Sequence, residues 1–263
     1  MASDGSTDGK EQFGGLKELQ EQSSMDYWWP RLKSLDVQTP ATVQLDIVDT
    51  QEFQGGLSMP TPDATELHHA IEAVGGPPAF LRSDVTSRKH EMRHSRIEDA
   101  TPPVETVSGI AEEHYLSMGM PMPSSYYVRE WLDLWHRYRT FADGATPIAA
   151  EIRALLLDGE VYDSGFYWPM DATWEHSATA DNWPELWEDT KRRAVKDSDR
   201  VEDLAAIVAE EFSDGYWSVD FALTEGEEWF CIDMARGELS VHPESVERAV
   251  ADPRTAVASD TDN

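Results

Sequence analysis

The dipeptide Asp158-Gly159 constrains this chain more than any other feature of its sequence. It separates AAEIRALLL (149–157) from EVYDSGFY (160–167), and Asp-Gly favours the type I′ turn, whose two positive-φ residues match the twist of paired antiparallel strands. The segment predicts a β-hairpin. A second hairpin is predicted where YWSVDFAL (216–223) and EWFCIDM (228–234) flank a turn around Gly226. Between the hairpins, VEDLAAIVAEEF (201–212) repeats apolar residues at helical spacing. Upstream, TVQLDIV (42–48) alternates as a half-buried strand does, and residues 63–74 read as a helix capped by Asp63 or Thr61. Residues 78–83 (PAFLRS) read as a short strand entering a polar loop, and 125–132 (SYYVREWL) as a strand ending at Asp133. Hairpins with helices before and between them imply an α+β fold with largely antiparallel sheets.

Residues 1–24 and 251–263 are small and polar, without the apolar side chains that offset ordering entropy, and are expected as tails. The turn-rich stretch 54–62 and the run Gly75-Gly76-Pro77-Pro78 mark off a short αβ region, 25–77, from a main body, 78–250. No run approaches the roughly 18 to 20 apolar residues of a membrane-spanning helix, and the first residues lack the pattern of a secretory signal, so the expectation is a cytoplasmic protein. Cys231, the lone cysteine, excludes an internal disulfide and a thiolate zinc cluster and is expected buried in a strand. The 51 acidic and 21 basic residues give a net charge of −30, which excludes a general nucleic-acid binder because the phosphate backbone would be repelled. With 6 lysines against 15 arginines, such a surface points to a salt-rich cytoplasm where screening makes self-repulsion tolerable. The expected source is a halophilic archaeon or its virus; the alternative is an acidic interaction protein at ordinary salt.

Against this background five of the 21 basic residues, Arg82, Arg88, Lys89, Arg93 and Arg96, fall within fifteen positions. With Ser83, Thr86 and Ser87 among them, they form either a phosphate-binding loop or a solvated basic patch. Asp220 and Asp233, on the two strands of the second hairpin, either converge on a magnesium ion or face solvent. Glu151 and Arg153 share one face of the first hairpin, with Ala150, Ile152 and Ala154 on the other; they form a polar floor for an anion or a cross-strand ion pair. His90-Glu91-Met92-Arg93-His94 satisfies the H-E-x-x-H zinc-peptidase pattern, with Glu112, Glu113 or His114 as third ligand, although its cationic flanks oppose Zn²⁺. His68, His69, His136, His176 and His242 show no ligand spacing and are expected at the surface. Trp168, Trp174, Trp183 and Trp187, between the hairpins, form core packing, a partner surface or a lid, the first being favoured.

The order of these pieces carries more than any one of them. A strand with Arg82, a cationic hydroxyl loop, the strand end Val128-Arg129-Glu130-Trp131-Leu132-Asp133, the Glu151-x-Arg153 hairpin and the closing Asp220…Asp233-x-Ala235 together resemble the ATP-grasp superfamily over residues 78–242. The resemblance is closest to the eukaryotic cell-division-cycle proteins that assemble a translation initiation factor, and to related phage and archaeal domains. Tyr27-Trp28-Trp29-Pro30-Arg31-Leu32 is similar to the tryptophan-proline opening of the former. The resemblance implies an ATP-grasp fold of two α+β subdomains enclosing ATP and Mg²⁺. It implies that Arg82 and Lys89 face the phosphates, that Glu130, Trp131 and Leu132 form the adenine hinge, and that Asp133 lies near the ribose. Arg153 and Lys89 would be catalytic, and Asp220 and Asp233 would hold the metal. One departure is Ala235 where the family pattern has asparagine, leaving Arg236 as a candidate to neutralise phosphate. The implied reaction is ATP-dependent carboxylate–amine ligation through an acyl phosphate; the alternatives are an ATP-loaded assembly or regulatory protein for a protein partner and, more distantly, a zinc peptidase.

Overall fold

The computed structural model describes residues 8–52, 58–86, 95–99, 123–140, 146–170, 180–240 and 242. Two antiparallel sheets dominate it. The first has five strands in the order β2-β1-β5-β3-β4. These strands are β1 (Thr42–Glu52), β2 (Ser58–Pro62), β3 (Ala79–Ser83), β4 (Arg96–Ile97) and β5 (Ser125–Glu130). β6 (His136–Thr140) and β7 (Thr146–Ala149) pair as a separate two-stranded ribbon. The second large sheet has the order β11-β10-β8-β9, from β8 (Glu151–Leu157), β9 (Glu160–Phe166), β10 (Tyr216–Leu223) and β11 (Trp229–Arg236). The helices are α1 (Asp8–Ser23), α2 (Met25–Leu32), α3 (Ala64–Ala73), α4 (Trp183–Val195) and α5 (Ser198–Glu211).

The two predicted hairpins are β8–β9 and β10–β11. Asp158 and Gly159 both have positive φ, +48° and +89°, as a type I′ turn demands. Each large sheet has its own core. Leu67, Ala70 and Ile71 of α3 cover Leu45, Leu81, Tyr126 and Val128 of the first sheet. Asp63 caps α3 by accepting from the amides of Thr65 and Glu66, which settles the choice between Asp63 and Thr61. The second sheet buries Ile152, Ala154, Leu156, Trp217, Val219 and Phe221 with Val201, Ala205 and Val208 of α5. Cys231 is fully buried in β11, and burial raises its thiol pKa. Trp168, Trp183 and Trp187 pack in this core; Trp174 lies outside the described residues.

Several expectations are corrected. Residues 8–23 form α1, which packs on β11 and α2, instead of a tail. Residues 58–62 of the expected turn region form β2, whose Pro60 and Pro62 are tolerated because β2 is an edge strand. The 125–132 strand ends at Glu130, so Trp131, Leu132 and Asp133 leave the sheet. The 201–212 helix begins earlier, at Ser198, and α4 was not foreseen. Tyr27-Trp28-Trp29-Pro30 lies in α2, where Met25, Trp28, Trp29 and Leu32 are buried at i, i+3, i+4 and i+7.

Candidate functional site

β5 joins the two halves by its period of two. Tyr126 and Val128 face the α3 core, whereas Tyr127 and Arg129 face the opposite way, toward the second sheet. On β3 the register sets Phe80 opposite Arg129 and Arg82 opposite Tyr127. The first sheet therefore turns Phe80, Arg82, Tyr127 and Arg129 toward the second, and Phe80 and Arg129 among them line a cleft. On the other side stand Glu151, Arg153, Asp220 and Asp233.

Asp220 and Asp233 are direct cross-strand partners, but strict alternation would have hidden one of them. Trp229 and Cys231 of β11 belong to the core, and counting on by two from Cys231 would aim Asp233 into the core as well. A β-bulge at Ile232 adds one residue between the pairs Phe221–Cys231 and Asp220–Asp233. Met234 thereby returns to the core, and Asp233 joins Asp220 on the cleft face. The same count sends Arg236 to the far face, where it pairs with Glu238 at 3.0 Å and stacks over Trp217, so the expectation that it meets phosphate is corrected. Ala235 is on the face of Asp233, opposite Ser218, and brings no ligand atom.

Each acid meets an arginine. Arg153 donates from Nε to Asp220 Oδ1 at 2.6 Å and from Nη2 to Oδ2 at 2.8 Å, with the two side chains 9% and 3% exposed. Burial alone would lower the pKa of Arg153; the charge and hydrogen bonds of Asp220 outweigh it and raise the value. Arg82 donates from Nη1 to Asp233 Oδ1 at 2.8 Å, and here the carboxylate is 21% exposed. Trp28 of α2 lies under the Arg82 guanidinium at 5.7 Å, and Tyr167 under that of Arg153 at 4.6 Å.

Beside these pairs opens a cleft of about 860 Å³, the open solvent at its mouth included. The segment Glu130-Trp131-Leu132-Asp133 forms one wall, with Phe80 and Trp168 supplying aromatic surface and Arg129, Glu151 and Asp233 polar groups. Glu130 is fixed by accepting from the Ala41 amide at 3.1 Å, and Trp131 is covered by the Arg96 guanidinium at 4.6 Å. Arg96, the last member of the predicted basic cluster, thus supports this wall from β4. Arg88, Lys89, His90, Glu91, Arg93 and His94 lie outside the described residues, as do Glu112, Glu113 and His114. Among the described residues no three His, Cys, Asp or Glu side chains form a metal-binding group. A magnesium ion takes one or two carboxylates with phosphate oxygens and water; here Arg153 holds both oxygens of Asp220, and Arg82 holds Oδ1 of the more exposed Asp233.

Two histidines expected at the surface are placed elsewhere: His136 lines the cleft with Nδ1 2.7 Å from the Leu134 carbonyl, and His242 Nε2 lies 2.6 Å from the Tyr216 hydroxyl. Two features went unread. Arg129 sits inside the quoted VREWLD string but apart from the basic cluster; its signal was a charged residue amid strand apolars. Asp84 is 4% exposed, at the exit of β3. Its Oδ2 and the Oδ2 of Asp26 lie 2.9 and 2.8 Å from the one hydroxyl of Ser124. Burial raises the Asp84 pKa, and the charge of Asp26 adds to the effect, against hydrogen bonds from Ser124. Tyr127 also donates to Asp26, at 2.5 Å, so the network ties α2 to both strands.

No family model matches this chain, and no curated protein matches it in sequence. Its fold is similar to that of C-terminally truncated Cdc123 from Schizosaccharomyces pombe, with a TM-score of 0.51 and 12% identity over 86% of this chain and 90% of that one. The RimK domain ATP-grasp protein of Sphaerobacter thermophilus aligns with a TM-score of 0.42 and 12% identity over 81% of this chain and 58% of that one. The ATP-grasp ligase PsnB, complexed with precursor peptide PsnA2 and AMPPNP, aligns with a TM-score of 0.42 and 10% identity over 82% and 51%. The chain has a fold like that of Cdc123, α+β with antiparallel sheets. Among the described residues no helix is long and apolar enough to cross a membrane.

Proposed function

We propose that the cleft binds ATP with Mg²⁺, the adenine along Glu130, Trp131 and Leu132, the ribose near Asp133 and the phosphates toward Arg82, Lys89 and Arg153. The observation that carries this reading is the placement of Glu130, Trp131, Leu132 and Asp133 on the wall of one cleft with Arg129, Glu151 and Asp233, beside the two arginine–aspartate pairs. Asp220 and Asp233 are the residues that would hold Mg²⁺, which when bound neutralises charge developing on the transferred phosphoryl group. Phosphoryl transfer asks for positioning and charge neutralisation and no covalent nucleophile, and these side chains supply both. The reaction we assign is ATP-dependent activation of a carboxylate as its acyl phosphate, followed by attack of an amine or similar nucleophile, with Arg153 and Lys89 as the catalytic cations. Two observations favour a second reading: the fold covers 90% of Cdc123, a member of the assembly-protein group that the sequence resembles, and Ala235 brings no polar side chain to the face of Asp220 and Asp233. On that reading ATP is bound and retained while a protein partner is held.

The test is thermal unfolding with Mg-ATP in molar potassium chloride, a medium chosen because a halophilic source and a cytoplasmic setting are part of the proposal. ATP at about 100 times its dissociation constant adds about 2.7 kcal/mol to stability. Asp220→Asn or Lys89→Ala weakens binding at least about tenfold, or about 1.4 kcal/mol, and His94→Ala leaves it unchanged. Absence of any shift with ATP, ADP or GTP in folded protein overturns the proposal. Release of ADP and phosphate with a carboxylate and an amine supports the ligase; tight binding without turnover, together with capture of a partner, supports the assembly reading.

A further inference from the structure

Arg153 is matched by Asp220 and Arg82 by Asp233, but Arg129, on the cleft wall beside them, has no such partner. It is 4% exposed. Its Nε donates to Thr42 Oγ1 at 3.3 Å and its Nη1 to the carbonyl of the bulge residue Ile232 at 2.5 Å, while Trp29 lies beneath it at 5.9 Å. Its Nη2 is buried without a hydrogen-bond partner, and among the described residues no carboxylate lies within ion-pair distance. Burial, and then the charge of Arg82, lower its pKa to about 10, with the charge of Asp233 acting in the opposite direction, so it is charged at neutral pH.

A buried guanidinium with an unmatched charge and an unused donor is destabilising by itself. Thr42, Ile232 and Trp29 fix its plane without neutralising it. The residue belongs to the cleft wall together with Glu130 and Asp233. We infer that Arg129 receives a negatively charged group of the bound ligand on Nη2, which, resting on the ATP reading above, is an oxygen of the phosphate chain. The proposed phosphate site thus gains a cation from the strand leading into the hinge, outside the 82–96 cluster. Its carbonyl anchor at Ile232 couples that contact to the bulge that exposes Asp233.

The competing role is a clamp between β1 and β11, and the experiment separates the two. Dissociation constants of ATP, adenosine and inorganic tripolyphosphate are measured for the full chain, for Arg129→Gln and for Arg129→Lys, with thermal unfolding of each. The expected result is a loss of at least about tenfold for ATP and tripolyphosphate in Arg129→Gln, with adenosine changed less than about twofold. Arg129→Lys keeps the charge but not the fork and gives a smaller loss, again confined to the phosphate ligands; it carries the test if Arg129→Gln does not fold. Equal losses for ATP and adenosine, or none, overturn the inference while leaving ATP binding standing. Tripolyphosphate binding that depends on Arg129, without ATP binding, keeps the anion site and removes the nucleotide. If the unaltered chain binds neither, both readings fall.

Discussion

The two arginine–aspartate pairs at the cleft look alike on paper and differ in how they are made. Arg153 and Asp220 stand opposite each other on hydrogen-bonded strands, β8 and β10, joined by two short contacts in a nearly sealed setting. Arg82 and Asp233 come from different sheets, share one contact between the ion-paired groups, and leave the carboxylate 21% exposed. The first pair is a consequence of strand register. The second exists only because the two sheets close on each other. The register pair should therefore act on folding as well as on the ligand site, and the pair between sheets mainly on the ligand site.

The largest effect expected follows from breaking the register pair. Arg153→Met leaves the Asp220 carboxylate in a dry interior without its guanidinium and should lower the unfolding free energy by about 3–5 kcal/mol. Denaturant unfolding measures it, and adding Asp220→Leu should recover most of the loss; a single-variant loss below about 1 kcal/mol would mean that the pair does not govern this interior. Arg82→Met should be milder, about 1–3 kcal/mol, because Asp233 can turn to water, but it should weaken Mg-ATP as well. If Arg82→Met proves as destabilising as Arg153→Met, the distinction between the pairs is gone.

A pH series sharpens the same contrast, because the junction of α2 with β3 and β5 also rests on a carboxylate, Asp84, that shares the Ser124 hydroxyl with Asp26. Burial holds the folded Asp84 pKa above its ordinary 3.8, so its contribution is full below pH 3.8 and is lost as pH rises through the folded value. The Tm difference between the unaltered chain and Asp84→Asn should accordingly fall as pH rises above 3.8; a difference independent of pH would show that Asp84 does not titrate there. The smallest effect should come from Lys17→Ala. Its pair with Glu21 on α1 is 78% and 65% exposed, and losing it should change stability by less than about 0.5 kcal/mol, fading further in high salt.

Legibility followed the same division. Both hairpins, an α3 cap at Asp63 or Thr61, the buried Cys231 and the facing of Glu151 and Arg153 were open to local rules, since a turn type, a cap or a period of two depends on a few consecutive residues. Glu130, Trp131, Leu132 and Asp133 were singled out through an ordered resemblance, and the cleft they line required coordinates. Helix α1 was missed because its polar composition gives no amphipathic signal. It is held by packing on β11, which composition does not encode. Residues 25–32 did carry helical spacing, masked by Pro30 and by two adjacent tryptophans that read as a motif.

By itself the sequence determined the α+β class, the two hairpins, the local pairing tendencies and the candidate residues Arg82, Glu130, Trp131, Leu132, Asp133, Arg153, Asp220 and Asp233, because each rests on spacing within one element or on the order of short motifs. The tertiary structure alone decided that Asp233 faces the cleft, that Arg236 does not, that Arg82 reaches across to the second sheet and that Arg129 enters the cleft wall unmatched. These outcomes depend on one bulge at Ile232 and on the approach of two sheets, and a bulge is set by the packing of Cys231 and Met234 into a common core, over distances that no local pattern spans.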